Sequence, residues 1–540
     1  MSESTGLLLS RSRNSDNYST FRNADEYEYA SDGRSVSSVD THQNRFRLLS
    51  PDYIEEQGEE NLDEELESKG ETSVRKEVKF VLFNSVPITL TFFMEYSLTV
   101  TSLFIIGHVS QSASSLASVS LAVMTYNITG MAIIEGMATS LDTFCSQAYG
   151  AQKYTKVGLY FLRCSMMIMA AAVPIVAVWW TSAFWLKFLI PEHDLLHDTQ
   201  MFLRIASFGL PGLIFFETGK RFLQAQGHYE VSTWALAITV PLNIFLMFTF
   251  TKRWGFYGAP IALTISDWTM PSALFFYCYF IKRETLKCWY PITQSWFHFK
   301  RVFREWKPMW KLAFPGLVMI ESEYLSFEIL TIMSSHFGIE AIAAQSVISN
   351  LGSLIYQLPF AMGCVVSTRV ANYIGMELIE HARIAVKASY LVSLCAGVFN
   401  FSVLFFWSKP LAKLFTNDPQ VIELAYAVVP ILAVNQLYDS FNVFSAAILR
   451  GQARQSIGGI LNIICYYFIA LPLSGWFAFG RLHLEISGLW YGCGVGIFIL
   501  ALAETFFVYK SDWNKILKDF LDREANEFEV DLESVVSSEV

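Results

Sequence analysis

Three glutamates stand close together in one apolar segment of this sequence. The segment runs from Phe314 to Glu328 and carries Glu321, Glu323 and Glu328. In a helix, these three carboxylates lie within about 10 Å of axial rise. A carboxylate among apolar residues requires a polar cavity, a partner or a proton. Such a group can bind a proton or an organic cation and release it again, so the segment is a candidate cation-binding site.

Helical spacing leaves open which of these acids act together. In a straight helix Glu321 and Glu328 share a face, whereas Glu323 and Glu328 are about 140° apart. Pro315 can bend the helix and change that geometry. Spacing alone therefore favours Glu321 with Glu328. The sequence places no Lys or Arg in a neighbouring apolar segment at the same depth, so we expect these acids to lack a basic partner.

Other acids also fall in apolar segments. Glu217 and Asp142 stand near segment ends, and we expect them to snorkel or to pair with Lys220 or Arg221. The remaining acids of this kind are Glu95, Glu135, Asp267, Glu423, Asp439 and Glu504. Of these, we expect the acids at 423 and 504 to lie at the interface or to find a partner.

The composition indicates a membrane protein. The chain has 540 residues, of which 53% are hydrophobic and 16% charged, with a mean hydropathy of +0.35. Soluble proteins have about 25% charged residues, so this chain has too little polar surface for several soluble domains. The net charge of −10 lies mostly in the tails and gives no basic footprint for nucleic acid. Its eight cysteines form no C-x-x-C pair, which argues against a metal site or a disulfide framework.

Twelve apolar blocks are long enough to cross a bilayer as helices. They lie near residues 83–107, 115–147, 157–181, 200–224, 231–251, 256–281, 312–335, 342–373, 384–407, 421–448, 456–477 and 486–509. The blocks are continuous rather than alternating, which argues against membrane strands. No P-loop and no Ser-His-Asp pattern is present, so we expect a protein that is not an enzyme and has no cofactor.

The two halves of the chain repeat. Phe222-Leu-Gln-Ala-Gln-Gly follows the fourth block, and Ile448-Leu-Arg-Gly-Gln-Ala follows the tenth. We therefore predict an all-α integral membrane protein, with twelve transmembrane helices in two six-helix repeats, an N-lobe and a C-lobe, around a central cavity. The predicted boundaries are a disordered acidic tail at 1–78, the N-lobe at 79–298, the C-lobe at 299–510 and a second tail at 511–540. Lys and Arg in the short joints place both termini in the cytosol.

Four motifs resemble those of the multidrug and toxic compound extrusion (MATE) family, most of all its fungal members. They are the stretch from Gly136 to Ala151, Arg221-Phe-Leu-Gln-Ala-Gln-Gly227, Arg369-Val-Ala-Asn-Tyr-Ile-Gly375 and Leu449-Arg-Gly-Gln-Ala-Arg-Gln455. They occur in order through both halves, over about residues 80–510. The resemblance implies an exporter of organic cations or other xenobiotics that is driven by inward flow of protons or sodium ions.

The resemblance also implies roles for individual residues. It favours Glu323 and Glu328 as paired acids, with Asp439 facing the central cavity, Glu321 as a secondary candidate, and Glu95 binding cations or only hydrogen-bonding Asn127. The residues expected at the substrate cavity are Asn127, Tyr324, Asn350 and Tyr438. The residues expected to have structural motif roles are Asp142, Gln147, Arg221, Gln224, Pro315, Arg369 and Arg450.

The expected activity is antiport of a cationic small molecule against protons. Sodium coupling and a lipid or oligosaccharide flippase are the alternatives, and a receptor or channel fits twelve predicted spans less well. We expect a monomer in the bilayer of the vacuole, or alternatively of the plasma membrane. The acidic dileucine pattern formed by Glu3, Leu7 and Leu8 is a candidate site for a sorting adaptor.

Overall fold

The computed structural model describes residues 72–109, 113–187, 193–292, 296–416, 418–481 and 483–536. All regular secondary structure in these ranges is helical. The dileucine pattern at Glu3, Leu7 and Leu8 and most of the predicted N-terminal tail lie outside the described residues.

The first half of the chain forms the first six predicted spans. Its helices are α1 (Val74–Val109), α2 (Ala113–Tyr126), α3 (Ala132–Ala138), α4 (Ser140–Gly150), α5 (Tyr154–Trp180), α6 (Ser182–Leu186), α7 (His193–Ala206), α8 (Leu210–Ala225), α9 (Val231–Trp254) and α10 (Gly258–Phe280). A 3-10 turn (Arg283–Cys288) and the short helix α11 (Trp296–Val302) connect them to the second half.

The second half forms the other six spans and one additional helix. Its helices are α12 (Trp306–Ser334), α13 (Ile339–Gly375), α14 (Ile379–Lys413), α15 (Pro419–Gly451), α16 (Gln455–Ile463), α17 (Leu471–Phe479), α18 (Glu485–Tyr509) and α19 (Trp513–Val536). The last helix occupies most of the segment for which the sequence suggested only a polar tail.

All twelve predicted spans correspond to helices of the structure. By length and hydropathy alone, nine segments of the described chain qualify as membrane spans, and one of them, Val231–Phe280, contains both α9 and α10. The bent pair Leu195–Ala206 and Leu210–Ala225 adds another. Helix α12 is not among them, although it is long enough, because it carries the three glutamates. The charged residues of α12 therefore prevent its recognition as a membrane span by hydropathy.

Several spans are interrupted, among them the second, the fourth and the eleventh. A π-helical turn at Asn127–Met131 links α2 to α3, and a longer one at Ile464–Ala470 links α16 to α17. Between α7 and α8 the chain bends by 55°. At this bend a Cβ on Gly209 would collide with the carboxylate of Asp267, so the close approach requires glycine there.

Burial divides the protein into packed regions. One core joins buried side chains between Leu98 and Ala313, which belong to the first six spans and the start of α12. Two smaller cores lie wholly in the second half of the chain. A fourth core combines the start of α1, the C-lobe helices α13 to α15, and Trp513, Ile516 and Phe520 of α19. The first and last described helices therefore pack at the same end of the molecule.

Candidate functional site

A cavity in the C-lobe contains one of the three glutamates of α12. Glu323 lines it together with Tyr356, Asn442, Arg450 and Asn462. The Tyr356 hydroxyl donates a hydrogen bond of 3.2 Å to the Glu323 carboxylate. The predicted lack of a base near these acids is therefore wrong for Glu323. Sequence reasoning placed Arg450 in a surface joint, whereas α15 continues to Gly451 and carries this side chain into the interior.

Asp439 lies beside the same cavity. Its buried carboxylate accepts a hydrogen bond of 3.4 Å from the side-chain amide of Asn442, which lines the cavity. Asp439 and Glu323 also interact electrostatically. The structure thus brings together two acids that are 116 residues apart in the sequence.

The other predicted residues near α12 lie outside that group. Among the described residues, Glu321, Glu328 and Tyr438 are not part of the cavity lining. Tyr324 is 43% exposed. Tyr438 donates a hydrogen bond to the side-chain oxygen of Asn435. Neither the pair suggested by spacing nor the pair suggested by the resemblance shares this cavity, because Glu323 alone of the three acids points there.

Glu95 in the N-lobe has a basic partner that the sequence analysis did not assign to it. The Lys220 ammonium lies 2.8 Å from the carboxylate of Glu95 and 2.8 Å from that of Glu217. All three side chains are buried. The expected pairing of Glu217 with Lys220 is confirmed. Asn127 begins the first π-helical turn, and its side-chain oxygen has no hydrogen-bond partner among the described residues.

Asp142 connects basic groups from both halves of the chain. It pairs with Arg221 at 2.8 Å, as expected, and one carboxylate oxygen lies 3.7 Å from Arg450. Arg221 is also 4.0 Å from Glu135. Because Asp142 and its partners are buried, these ion pairs are structural contacts in the interior and not snorkelling side chains at the surface.

The two lobes approach one another closely at the ends of α4 and α13. A Cβ on Gly150 would collide with the carbonyl oxygen of Asn372, and one on Gly375 would collide with that of Gln147. The Gln147 side chain donates a 3.1 Å hydrogen bond to the carbonyl of Gly451. We call this region the closed end, defined by Gly150, Gly375 and Gly451. Only glycine allows backbones to come this near.

A second close approach lies deeper in the protein, where α3 meets α12. A Cβ on Gly136 would come within 2.7 Å of Leu317 Cα, and one on Gly316 would come within 2.9 Å of the Gly136 carbonyl oxygen. Pro315 precedes this contact and lies inside the continuous helix α12. The Pro-Gly pair therefore lets α12 pack against the N-lobe below its glutamates.

The remaining motif residues have identifiable contacts. Arg369 pairs with the buried Glu77 at 3.2 Å and so joins α13 to the start of α1. Gln224 is buried near the end of α8. Asn350 accepts a 2.7 Å hydrogen bond from the Tyr96 hydroxyl, which links α13 to α1.

The C-terminal helix α19 contacts both lobes at the closed end. Glu524 pairs with Lys153 at 2.9 Å and Lys156 at 3.1 Å. Burial raises the pKa of Glu524, but the attraction of Lys156 and Lys153 outweighs it and lowers that pKa to about 2. Glu527 lies 2.5 Å from Arg163, and Arg523 donates a hydrogen bond to Gln147.

This site can hold positive charge but does not resemble a hydrolytic or metal centre. It offers carboxylates, amides and tyrosine hydroxyls inside a mostly apolar interior, which suits exchange of a proton or an organic cation. No cluster of three or more potential metal ligands occurs in the described part of the chain. The sequence signals for the residues that were missed are weak, because nothing in local spacing indicates that Tyr356, Asn442 and Asn462 converge. Helix α19 had a stronger signal: its apolar residues recur at helical spacing.

Comparison with known proteins identifies the family. The MatE family model matches residues 87–249 and 315–476, once in each half. An uncharacterized transporter from Saccharomyces cerevisiae is 37% identical over 450 residues, covering 82% of this chain and 63% of that relative. This chain thus spans a little under two thirds of the length of that relative. Multidrug and toxin extrusion protein 2 of Mus musculus is 29% identical over 450 residues, covering 82% of this chain and 76% of the mouse protein.

Solved structures show the same fold. The eukaryotic MATE transporter AtDTX14 superposes with a TM-score of 0.76 at 24% identity, covering 83% of this chain and 98% of that one. The Vibrio cholerae MATE transporter VcmN in its bent form gives 0.70 at 17% identity, covering 83% and 99%. The predicted fold, twelve transmembrane helices in two six-helix lobes, is confirmed. The chain is a multi-pass membrane protein that belongs to the MATE family of transporters.

Proposed function

We propose that this protein is a secondary antiporter that exports organic cations from the cytosol in exchange for protons. The observation that carries the proposal is the C-lobe cavity, where Glu323 lies beside Asp439 and Tyr356. Two carboxylates in an apolar interior can hold a proton or a cationic group but are costly to leave charged and empty. Glu321 and Glu328 stay predicted contributors on the same helix.

Mutually exclusive occupancy couples the two fluxes. A proton that enters from the acidic side neutralises the carboxylates, and a cationic substrate from the cytosol then requires that proton to leave. The closed end carries Lys153, Lys156 and the C-terminal helix, and the charge rule favours its lying in the cytosol. On this proposal, the structure is closed to the cytosol.

The test uses the full chain in proteoliposomes with an imposed pH gradient and ethidium as the transported cation. We expect proton-driven flux that is lost in Glu323→Gln and in Asp439→Asn. Glu423→Gln is the matched control, because Glu423 lies on the same helix as Asp439 but is exposed. If the flux instead depends on a sodium gradient, sodium is the coupling ion in place of the proton. Unchanged proton-driven flux in both acid variants would contradict the proposed site.

We also propose that the protein is a monomer in the vacuolar membrane, with both termini in the cytosol. A sorting adaptor would bind it at Glu3, Leu7 and Leu8. An acidic lumen would supply the protons, and substrate would be stored there. Imaging of a C-terminally tagged chain tests the location. We expect Leu7→Ala with Leu8→Ala to move the protein away from the vacuole, whereas surface staining of the intact chain would favour the plasma membrane.

A further inference from the structure

The two lobes contain the same site in two chemical forms. The first span of each repeat has a proline followed eight residues later by Glu-Tyr, namely Pro87 with Glu95-Tyr96 and Pro315 with Glu323-Tyr324. Glu95 and Glu323 therefore occupy equivalent positions. The related motifs that begin at Phe222 and Ile448 make Lys220 equivalent to Ala446, because each lies two residues before its motif.

In the N-lobe this position is filled by a positive charge. The Lys220 side chain is 1% exposed, and its ammonium lies 2.8 Å from Glu95 and 2.8 Å from Glu217. The same ammonium lies 4.8 Å from the centre of the Phe92 ring and 5.5 Å from that of Phe216. Two carboxylates and two aromatic faces form the kind of site that binds an alkylammonium ion.

In the C-lobe the equivalent position is a small cavity that holds no lysine. The counterparts of Phe92, Glu217 and Lys220, by the same spacings, are Ile320, Val443 and Ala446. All three line the cavity that contains Glu323. Small apolar side chains thus replace the lysine and its second carboxylate, and they leave space beside the remaining glutamate.

We propose that Lys220 is a tethered cation that permanently fills the N-lobe site, so that the exchangeable cation binds only in the C-lobe, at Glu323. The exchangeable ligand is a proton or the ammonium group of a substrate. This inference rests on the proposed antiport. It assigns Glu95 to holding Lys220, in contrast to the cation-coupling role expected from the resemblance.

Other charges near Glu95 do not provide an alternative partner for the Lys220 ammonium. Glu135 also interacts electrostatically with Glu95 and Lys220, but its ion-pair partner is Arg221, at 4.0 Å. Asp142 is held by Arg221 and Arg450. Around Glu323 the charged or titratable groups are Tyr324, Tyr356, Asp439, Arg450, Tyr466, Cys493 and Glu504. Arg450 lies 3.7 Å from Asp142, so its positive charge also interacts with an acid of the N-lobe.

The first test counts binding sites for methylammonium on the purified full chain. We expect one site in the wild type, which is lost in Glu323→Gln. Lys220→Ala should add a second site, because it empties the ammonium position between Glu95 and Glu217. Adding Glu95→Gln to that variant should remove the extra site again. Lys252→Ala is the control, since Lys252 also lies over an aromatic ring, 4.2 Å from the Phe248 centroid, but is exposed.

The second test introduces a lysine at the equivalent position of the other lobe. Ala446→Lys should place an ammonium beside Glu323, with loss of methylammonium binding and of proton-driven flux. This variant decides the matter even where Lys220→Ala does not fold. An unchanged site count in Lys220→Ala, or binding in Ala446→Lys equal to that of the wild type, would overturn the inference. Absence of proton-driven flux in the wild type would remove the proposed antiport, whereas the site counts would still test the tethered cation.

Discussion

Replacing Glu524 by Gln should release the N-lobe side of helix α19. Glu524 pairs with Lys153 and Lys156 across the gap between α19 and the first lobe. These lysines outweigh the effect of burial and lower the pKa of Glu524 from 4.5 to about 2, which corresponds to roughly 3 kcal/mol in favour of the docked, charged form. Because the Lys153 side chain is 32% exposed, solvent screening reduces this to roughly 2–3 kcal/mol.

The sign of the pH dependence follows from the lowered pKa. The stabilisation is complete above the ordinary pKa of a free glutamate and is lost as the pH falls towards that of the docked group. It is therefore fully present at neutral pH, and mild acidification of the cytosol should not undock the helix. Glu524→Gln removes it at any pH in the neutral range.

Hydrogen–deuterium exchange measured by mass spectrometry tests this prediction on the full chain in nanodiscs. We expect the amides around residues 520–527 to exchange roughly 30- to 150-fold faster in Glu524→Gln, in proportion to the larger opening constant. Asp522→Asn is the matched control, since Asp522 is exposed on the same helix. Exchange in the Gln variant within a few-fold of the wild type would refute the reasoning, because it would mean that Trp513, Ile516 and Phe520 hold the helix without the ion pairs.

Two further predictions concern contacts between α1, α4 and α13. Gly375→Ala should prevent the closed end from forming, because its Cβ would collide with the Gln147 carbonyl oxygen. The short distances between spin labels on the two lobes should then disappear. Gly352→Ala is the control and should keep these short distances, because its Cβ would lie 3.7 Å from Leu432. Arg369→Gln should leave Glu77 buried without its base and lower stability by about 3 kcal/mol, measured by thermal unfolding, whereas Arg383→Gln, which breaks an exposed pair with Glu380, should cost about 0.5 kcal/mol or less.

The sequence predicted the number and order of the spans because membrane insertion depends on local composition. A run of about 20 apolar residues identifies a span by itself, without information about the helices that pack against it. Helix α12 was found in this way despite its acids, since the apolar residues around Glu321 and Glu323 still form a long block. The breaks were not found. The bend at Gly209 depends on Asp267, which is far away in the sequence and reaches the backbone only after folding.

The site was predicted in part, for a similar reason. Ion pairs between neighbours in the chain, such as Glu217 with Lys220, follow from helical spacing. The pairing of Lys220 with Glu95 and the arrival of Arg450 at the cavity of Glu323 depend on how separate helices pack, which spacing does not encode. The choice among Glu321, Glu323 and Glu328 likewise required the positions of α13 and α15.

The glycine contact at the closed end has the form of a homodimer interface. Gly150 meets Asn372 and Gly375 meets Gln147, and Gly150 matches Gly375 in the other repeat just as Gln147 matches Asn372. In a twofold dimer, residue i contacts j while j contacts i, so both copies of a contact form or break together. The fused halves retain this reciprocity. One lobe therefore cannot leave its half of the contact without opening the other half, and the closed end behaves as a single cooperative unit.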